Sequence, residues 1–284
     1  MEIRFLSVRK AESRNPVWDV RESDLVLRQD SVPLDDKLGI KLEKAGIKRG
    51  SKILVFAGCY GDWADALAKH HDVSYTDLSK SMSEYVRRRF PHLRQISGRN
   101  ALFTPSLPNH FDYSFSFEPI PMYSDSAHPG LQFALAGSLL NRKGAFLLEW
   151  HRYHGARDAF KLVRALYGAK LKMTSIGIDS LRRSATENSG PRIKPLYHSL
   201  YVLHTTPSAR KKAEIDRRVI IELNRGAGKD SEVAHFSFNE LHEKLAKHNV
   251  SKAGLLQSLK RINALSTISG NFGSRITSTA IIER

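Results

Sequence analysis

From about Leu38 to Thr206, short apolar runs alternate with stretches whose apolar residues recur every three or four positions. That alternation is the tightest constraint on the fold, because parallel strands need a crossover of a dozen or more residues, usually a helix. The runs are Lys52–Ala57, Val73–Thr76, Arg94–Ser97, Tyr113–Phe117 and Ala145–Trp150. Helices are expected between them over Trp63–Lys69, Lys80–Phe90, Gly130–Leu140 and Ala156–Tyr167. Two further runs, Met173–Ile178 and Leu200–His204, are expected to pair with each other at the sheet's edge. A polar, basic stretch around Arg182, Arg183, Arg192 and Lys194 separates them. The pattern predicts an α/β domain of seven strands covered by helices on both faces.

The chain has 284 residues, enough for one large domain or two unequal ones. With 41% apolar and 26% charged residues it has the composition of a globular protein. No apolar run approaches the ~18 residues of a membrane span, and the start lacks a signal-peptide core. A cytoplasmic location without a membrane partner is the expectation. Cys59 is the only cysteine, so an internal disulfide and a Cys-based metal site are excluded. No metal is expected elsewhere, since His151 and His154 lack a third ligand at a suitable spacing. The net charge of +16 gives the surface an affinity for polyanions, and nucleic acid leads that class of partner.

After Pro207 the pattern changes. Ser208-Ala209-Arg210-Lys211-Lys212 reads as a linker into a helix with an apolar stripe at Ile215, Val219, Ile220 and Leu223. Ser237-Phe238-Asn239-Glu240 is a capping box, with Phe236 and Leu241 placed to staple the helix start. A third helix follows from Ser251, its buried face Leu255, Leu256, Leu259 and Ile262. Leu265–Ser269 and Arg275–Ile282, joined by Gly270-Asn271-Phe272-Gly273, read as a β-hairpin. The series resembles a winged helix-turn-helix over residues 212–284, following an N-terminal segment (1–49) that packs on the core and an α/β domain (50–207). That resemblance implies nucleic-acid contacts from Lys252, Gln257, Lys260 and Arg261 on the third helix and from Asn271 and Arg275 on the wing. It equally allows a dimerising role, and so a homodimer through this domain.

Ile53 to Ala68 reads as a buried strand, a glycine turn at Gly58 to Gly61, and a helix. Glycine lets backbone approach a ligand closely, and ligands of such sheets bind past the strands' carboxyl ends. Asp77 follows about 20 residues on, where a carboxylate can accept both hydroxyls of a ribose. An adenosine-containing cofactor fits this pattern. Over Leu38 to Thr206 the chain resembles the class I S-adenosylmethionine-dependent methyltransferases, which have a Rossmann-like seven-stranded sheet ending in a hairpin. The likeness lies in Gly58-Cys59, Asp77-Leu78-Ser79-Lys80-Ser81-Met82, Asn100-Ala101, Phe111-Asp112 and Leu139-Leu140-Asn141-Arg142-Lys143-Gly144. It implies S-adenosylmethionine as cofactor, held by Ala57, Gly58, Cys59, Gly61, Asp77, Leu78, Asn100, Ala101 and Phe117. Where that family often carries an acid two positions before its first glycine, this chain has Phe56. Tyr60 and Asp62 replace two further glycines, leaving Asp62 or Asp65 to receive the methionine ammonium.

Methyl transfer needs alignment above all, so no fixed triad is expected. The acceptor side falls at Phe117-Glu118-Pro119-Ile120-Pro121-Met122-Tyr123, with Glu118 as base or amine ligand and Tyr123 as a stacking surface. Trp150-His151-Arg152-Tyr153-His154 mixes aromatic and basic groups as a base-stacking, phosphate-binding surface does, and histidine is a residue type suited to act as base near neutral pH, which makes His151 a candidate. Arg87, Arg88, Arg89, Arg94 and Arg99 form the densest positive patch, with Arg87 and Arg88 as candidate phosphate contacts. The expected function is methylation of RNA or DNA. Two alternatives stand beside it: a non-catalytic DNA-binding regulator with a sensor or scaffold domain, and a small-molecule methyltransferase dimerised through the winged helix.

Overall fold

The structure is a computed structural model, and it describes residues 2–6, 32–33, 38–56, 61–76, 80–96, 111–116, 143–149, 154–182, 192–226, 233–266 and 280–283. Its first unit contains β2 (Val32–Pro33), α1 (Leu38–Lys44), β3 (Lys52–Phe56), α2 (Asp62–Ala68), β4 (Asp72–Thr76), α3 (Lys80–Arg89), β5 (Arg94–Gln95) and β6 (Tyr113–Ser116). It continues with β7 (Lys143–Glu149), α4 (His154–Tyr167), β8 (Lys170–Arg182) and β9 (Arg192–His204). The strands hydrogen-bond in the order β2-β8-β9-β7-β6-β3-β4-β5. Strands β5, β4, β3, β6 and β7 run parallel, while β9 and β8 form the antiparallel hairpin at the edge.

Eight strands therefore form this sheet, where seven were expected. The addition is β2, whose two residues pair with Leu181 and Ser180 of β8. A larger difference lies in the hairpin. Each of its strands spans 13 residues, so the basic stretch around Arg182, Arg192 and Lys194 is strand, not the connection it resembled. Cationic residues hid it, because a strand is legible mainly where one of its faces is apolar.

Ile53, Leu54 and Val55 of β3 are all buried, as expected for a parallel strand covered on both faces. Ile53 and Val55 join Leu38 and Leu42 of α1, Trp63, Ala64 and Leu67 of α2, Val73 and Tyr75 of β4, Val86 of α3, and Tyr113 and Phe115 of β6 in one core. From residues 1–49, α1 packs into this core, and β1 (Glu2–Leu6) lies in another sheet. That strand is the centre of a second, three-stranded sheet, between β10 (Val233–Ser237) and β11 (Ala280–Glu283).

The second unit also contains α5 (Pro207–Gly226), α6 (Phe238–Ala246) and α7 (Lys252–Ser266). The residues read as a linker, Ser208 to Lys212, are the first turns of α5. At α6 the N-cap half of the capping box is formed, with Ser237 Oγ accepting the Glu240 N–H at 3.1 Å, while the Glu240 carboxylate accepts from Lys244. Ser251 Oγ does the same for Gly254 N–H at 3.1 Å, starting α7. Leu265 and Ser266, expected in a strand, end α7 instead, and residues 267–279 lie outside the described residues. The described partner of β11 is β1.

Beneath the amino end of β4, His71 is 7% exposed and neither ring nitrogen has a hydrogen-bond partner. Burial lowers its pKa below 6.5, and His70 and Arg49 add to that effect while Glu43 opposes it. The unfolded chain takes up a proton near pH 6.5 that the folded ring refuses, so stability is complete above 6.5 and declines as pH falls below it. Denaturant titrations from pH 8 to pH 5 should show that decline, and His71→Leu should flatten it. An unchanged slope in the variant refutes the assignment.

Candidate functional site

In an open α/β sheet the ligand crevice forms where neighbouring strands send their connections to opposite faces. That reversal falls between β3 and β6, since the order runs from β3 outward through β4 and β5 on one side and through β6 and β7 on the other. The four central strands reach their carboxyl edge at Thr76, Phe56, Ser116 and Glu149. Phe56 pairs with Thr76, so the chain leaves β3 and β4 side by side. In sequence, Ala57, Gly58 and Cys59 follow the first of these residues, and Asp77 and Leu78 the second. Phe117 and Glu118 follow Ser116, and His151 stands two residues beyond Glu149. These residues, with Asn100, Ala101, Tyr123 and Arg275, lie outside the described residues.

Gly61 is described. Its φ of 81° is a left-handed conformation that suits glycine, and a Cβ there would come within 2.9 Å of Val86 and 3.1 Å of Phe90. This glycine thus brings α2 close to α3. Asp62 and Asp65, the alternatives for an ammonium, both have side-chain partners. Arg89 Nη2 donates to buried Asp62 at 2.7 Å, and His92 Nε2 lies 2.9 Å from Asp65. Arg87 and Arg88 of the same helix as Arg89 are exposed.

On α7, Lys252, Gln257 and Lys260 are exposed. Arg261 differs. Its side chain is 11% exposed, and its Nε and Nη2 donate to the two carboxylate oxygens of Asp216 at 3.0 and 2.7 Å. Tyr167, the last residue of α4, donates its hydroxyl to the same carboxylate at 2.6 Å. Arg261 therefore joins α7 to α5 and α4, where a contact to nucleic acid was expected. Burial raises the Asp216 pKa against the pull of Arg261, and burial followed by the Asp216 charge holds Tyr167 well above its usual value. The signal missed in the sequence was spacing: Ala213, Asp216, Ile220 and Leu223 share one helical stripe, so Asp216 is a charge on a buried face.

This clasp lies at the sheet's amino edge. His204 of β9 pairs with Lys143 at the start of β7 and with Lys170 at the start of β8, and α5 begins three residues later. The second unit is thus joined to the edge opposite the β3/β6 crevice. Among the described residues no group of three or more His, Cys, Asp or Glu could hold a metal ion, and no helix is long and apolar enough to cross a membrane.

No protein-family model matches the sequence, and no curated protein matches it. Solved structures similar to it include a candidate RNA methyltransferase from Pyrococcus horikoshii, 9% identical, with a TM-score of 0.44 over 66% of this chain and 100% of that one. A TehB-like SAM-dependent methyltransferase from Corynebacterium glutamicum is 20% identical, with a TM-score of 0.41 over 59% of this chain and 87% of its own. A structure solved in work on disulfide-to-thioacetal conversion during echinomycin biosynthesis is 14% identical, with a TM-score of 0.46 over 72% and 98%. At these scores the strand order and register given above, not the likeness, carry the fold assignment.

Removing the Arg261 side chain leaves the Asp216 carboxylate, 0% exposed, without its counter-charge. Arg261→Ala should cost about 3–5 kcal/mol in denaturant unfolding. Asp216→Leu combined with Arg261→Met should recover most of that loss, because an apolar pair removes both buried charges. A single variant as stable as the parent contradicts the clasp.

Proposed function

We propose that the chain is an S-adenosylmethionine-dependent methyltransferase acting on nucleic acid. The observation that carries the reading is the reversal of strand order between β3 and β6, with Phe56 and Thr76 in register. It supports the placing of the glycine turn after β3 next to the acidic residue after β4, as a nucleoside site on such a sheet requires. In this reading backbone at Ala57, Gly58 and Cys59 faces the ligand, and Asp77 accepts hydrogen bonds from the ribose hydroxyls. Leu78, Asn100, Ala101 and Phe117 border the base. A bound S-adenosylmethionine would supply an electrophilic methyl group on a sulfonium, with the thioether as leaving group.

The chain's own contribution is orientation and removal of water, with Glu118 or His151 taking the acceptor's proton and Tyr123 stacking on a planar base. The exposed cations Arg87, Lys252 and Lys260 give the polymer's phosphates a sequence-independent hold. We read the second unit as a winged helix-turn-helix whose sheet is completed by β1. A non-catalytic nucleic-acid-binding regulator is the second reading. It is favoured by the buried ion pair of Asp62 with Arg89, which occupies the carboxylate nearest the glycine turn in sequence.

Calorimetric titration with S-adenosylmethionine and S-adenosylhomocysteine separates the two. The enzyme reading predicts binding of both, weakened about 10- to 100-fold by Asp77→Ala, since hydrogen bonds to a charged group contribute about 1.5–3 kcal/mol. It also predicts transfer of labelled methyl to RNA or DNA. Absence of binding, with polymer affinity retained, selects the regulator.

A further inference from the structure

The long hairpin outruns the sheet. Strand β7 pairs with β9 only as far as Glu149↔His198, yet β8 and β9 continue through six more pairs, from Gly177↔Tyr197 to Arg182↔Arg192. Because Glu149 ends β7 at the carboxyl edge, this extension projects beyond that edge. At ~3.3 Å per residue it is about 20 Å long.

It is held by a third strand. Val32 and Pro33 of β2 pair with Leu181 and Ser180 near the extension's tip, and β2 packs against α2, the helix that follows β3. Four strand spacings separate β8 from β3 in the sheet, about 19 Å at ~4.8 Å each. The arm's length matches that span, and β2 brings its tip to α2, the helix that follows β3.

Register assigns its charges. Ile178, Ser180 and Arg182 share one face with Leu196, Lys194 and Arg192, whereas Asp179 stands on the other face. Arg182 and Arg192 are direct cross-strand partners, with Lys194 two residues from Arg192. Like charges set opposite each other destabilise a strand pair. An anion laid along the face removes the repulsion, and three cations in a row suit the spaced charges of a phosphodiester backbone.

We propose that this arm is a phosphodiester-binding surface that holds a nucleic-acid strand over the β3/β6 crevice. It does there what the second unit, joined at the amino edge, is not placed to do. The proposal rests on the carboxyl edge being the reaction edge, and the test keeps the two claims apart.

The full-length protein is titrated with a fluorescein-labelled single-stranded RNA of about 20 nucleotides and with a duplex DNA of about 20 base pairs, each at several salt concentrations. Each phosphate contact adds ~0.7 to the log–log salt slope for a single strand and ~0.9 for a duplex. Replacing the three cations together (Arg182→Gln, Arg192→Gln, Lys194→Gln) should reduce the slope by about 2 for RNA or nearly 3 for DNA. The polymer whose slope falls by its full expected amount is the one that the arm holds. Arg182→Lys with Arg192→Lys should keep the slope, which excludes misfolding as the cause. Hydrogen exchange on the unaltered protein gives a second reading: added polymer should protect residues 177–182 and 192–197. Unchanged slopes for both polymers, or no protection of the arm, overturn the proposal. S-adenosylmethionine binding by the same variants is expected to match the parent. If the parent binds none, the methyltransferase reading fails and the slopes still decide the arm.

Discussion

The whole arrangement depends on β3 being buried on both faces and bonded in parallel on both edges. A strand in that position cannot turn back by a tight hairpin, so each connection crosses over a face of the sheet. With β4 on one side and β6 on the other, those connections part company at the carboxyl end of β3. The crevice is therefore a consequence of topology and does not depend on any single side chain. Composition decides only what binds there. Among the described residues there, Phe56 ends the strand and Asp62 is paired with Arg89.

A second constraint ties the two units together. Asp216 receives a tyrosine from α4 and an arginine from α7, so three helices meet on one buried carboxylate. Buried ion pairs of this kind add little net stability but penalise any arrangement that separates their members. Strand β1 ties the unit a second way, since it lies near the chain's start yet completes a sheet whose other strands begin after residue 232. The cationic row of α7 is thereby held at the amino edge, and the β8–β9 arm brings cations to the opposite one.

Much of this was legible in the sequence because burial imposes a period. Ile53-Leu54-Val55 announced a central strand, and the capping box at Ser237 announced a helix start to the residue. What escaped notice had no apolar period to betray it. The arm is cationic on one face, and β2 has only two residues. The pairing of β1 with β10 and β11 is a contact between distant parts of the chain, which local pattern does not encode. Arg261 sits next to exposed Lys260 on α7, and only Asp216, 45 residues away, turns it inward. For the candidate site, the sequence supplied the residue types, and the register of Phe56 with Thr76 supplied their neighbourhood.

The central claim is that the carboxyl ends of β3 and β4 together hold an adenosyl ligand. Hydrogen–deuterium exchange with and without S-adenosylhomocysteine tests it most directly, because protection reports where a ligand sits whether or not turnover occurs. The account predicts slowed exchange concentrated in the segments that follow Phe56 and Thr76, with the amino-edge segment around Lys170 unchanged. Uniform exchange in both states, or protection confined to the second unit, contradicts it.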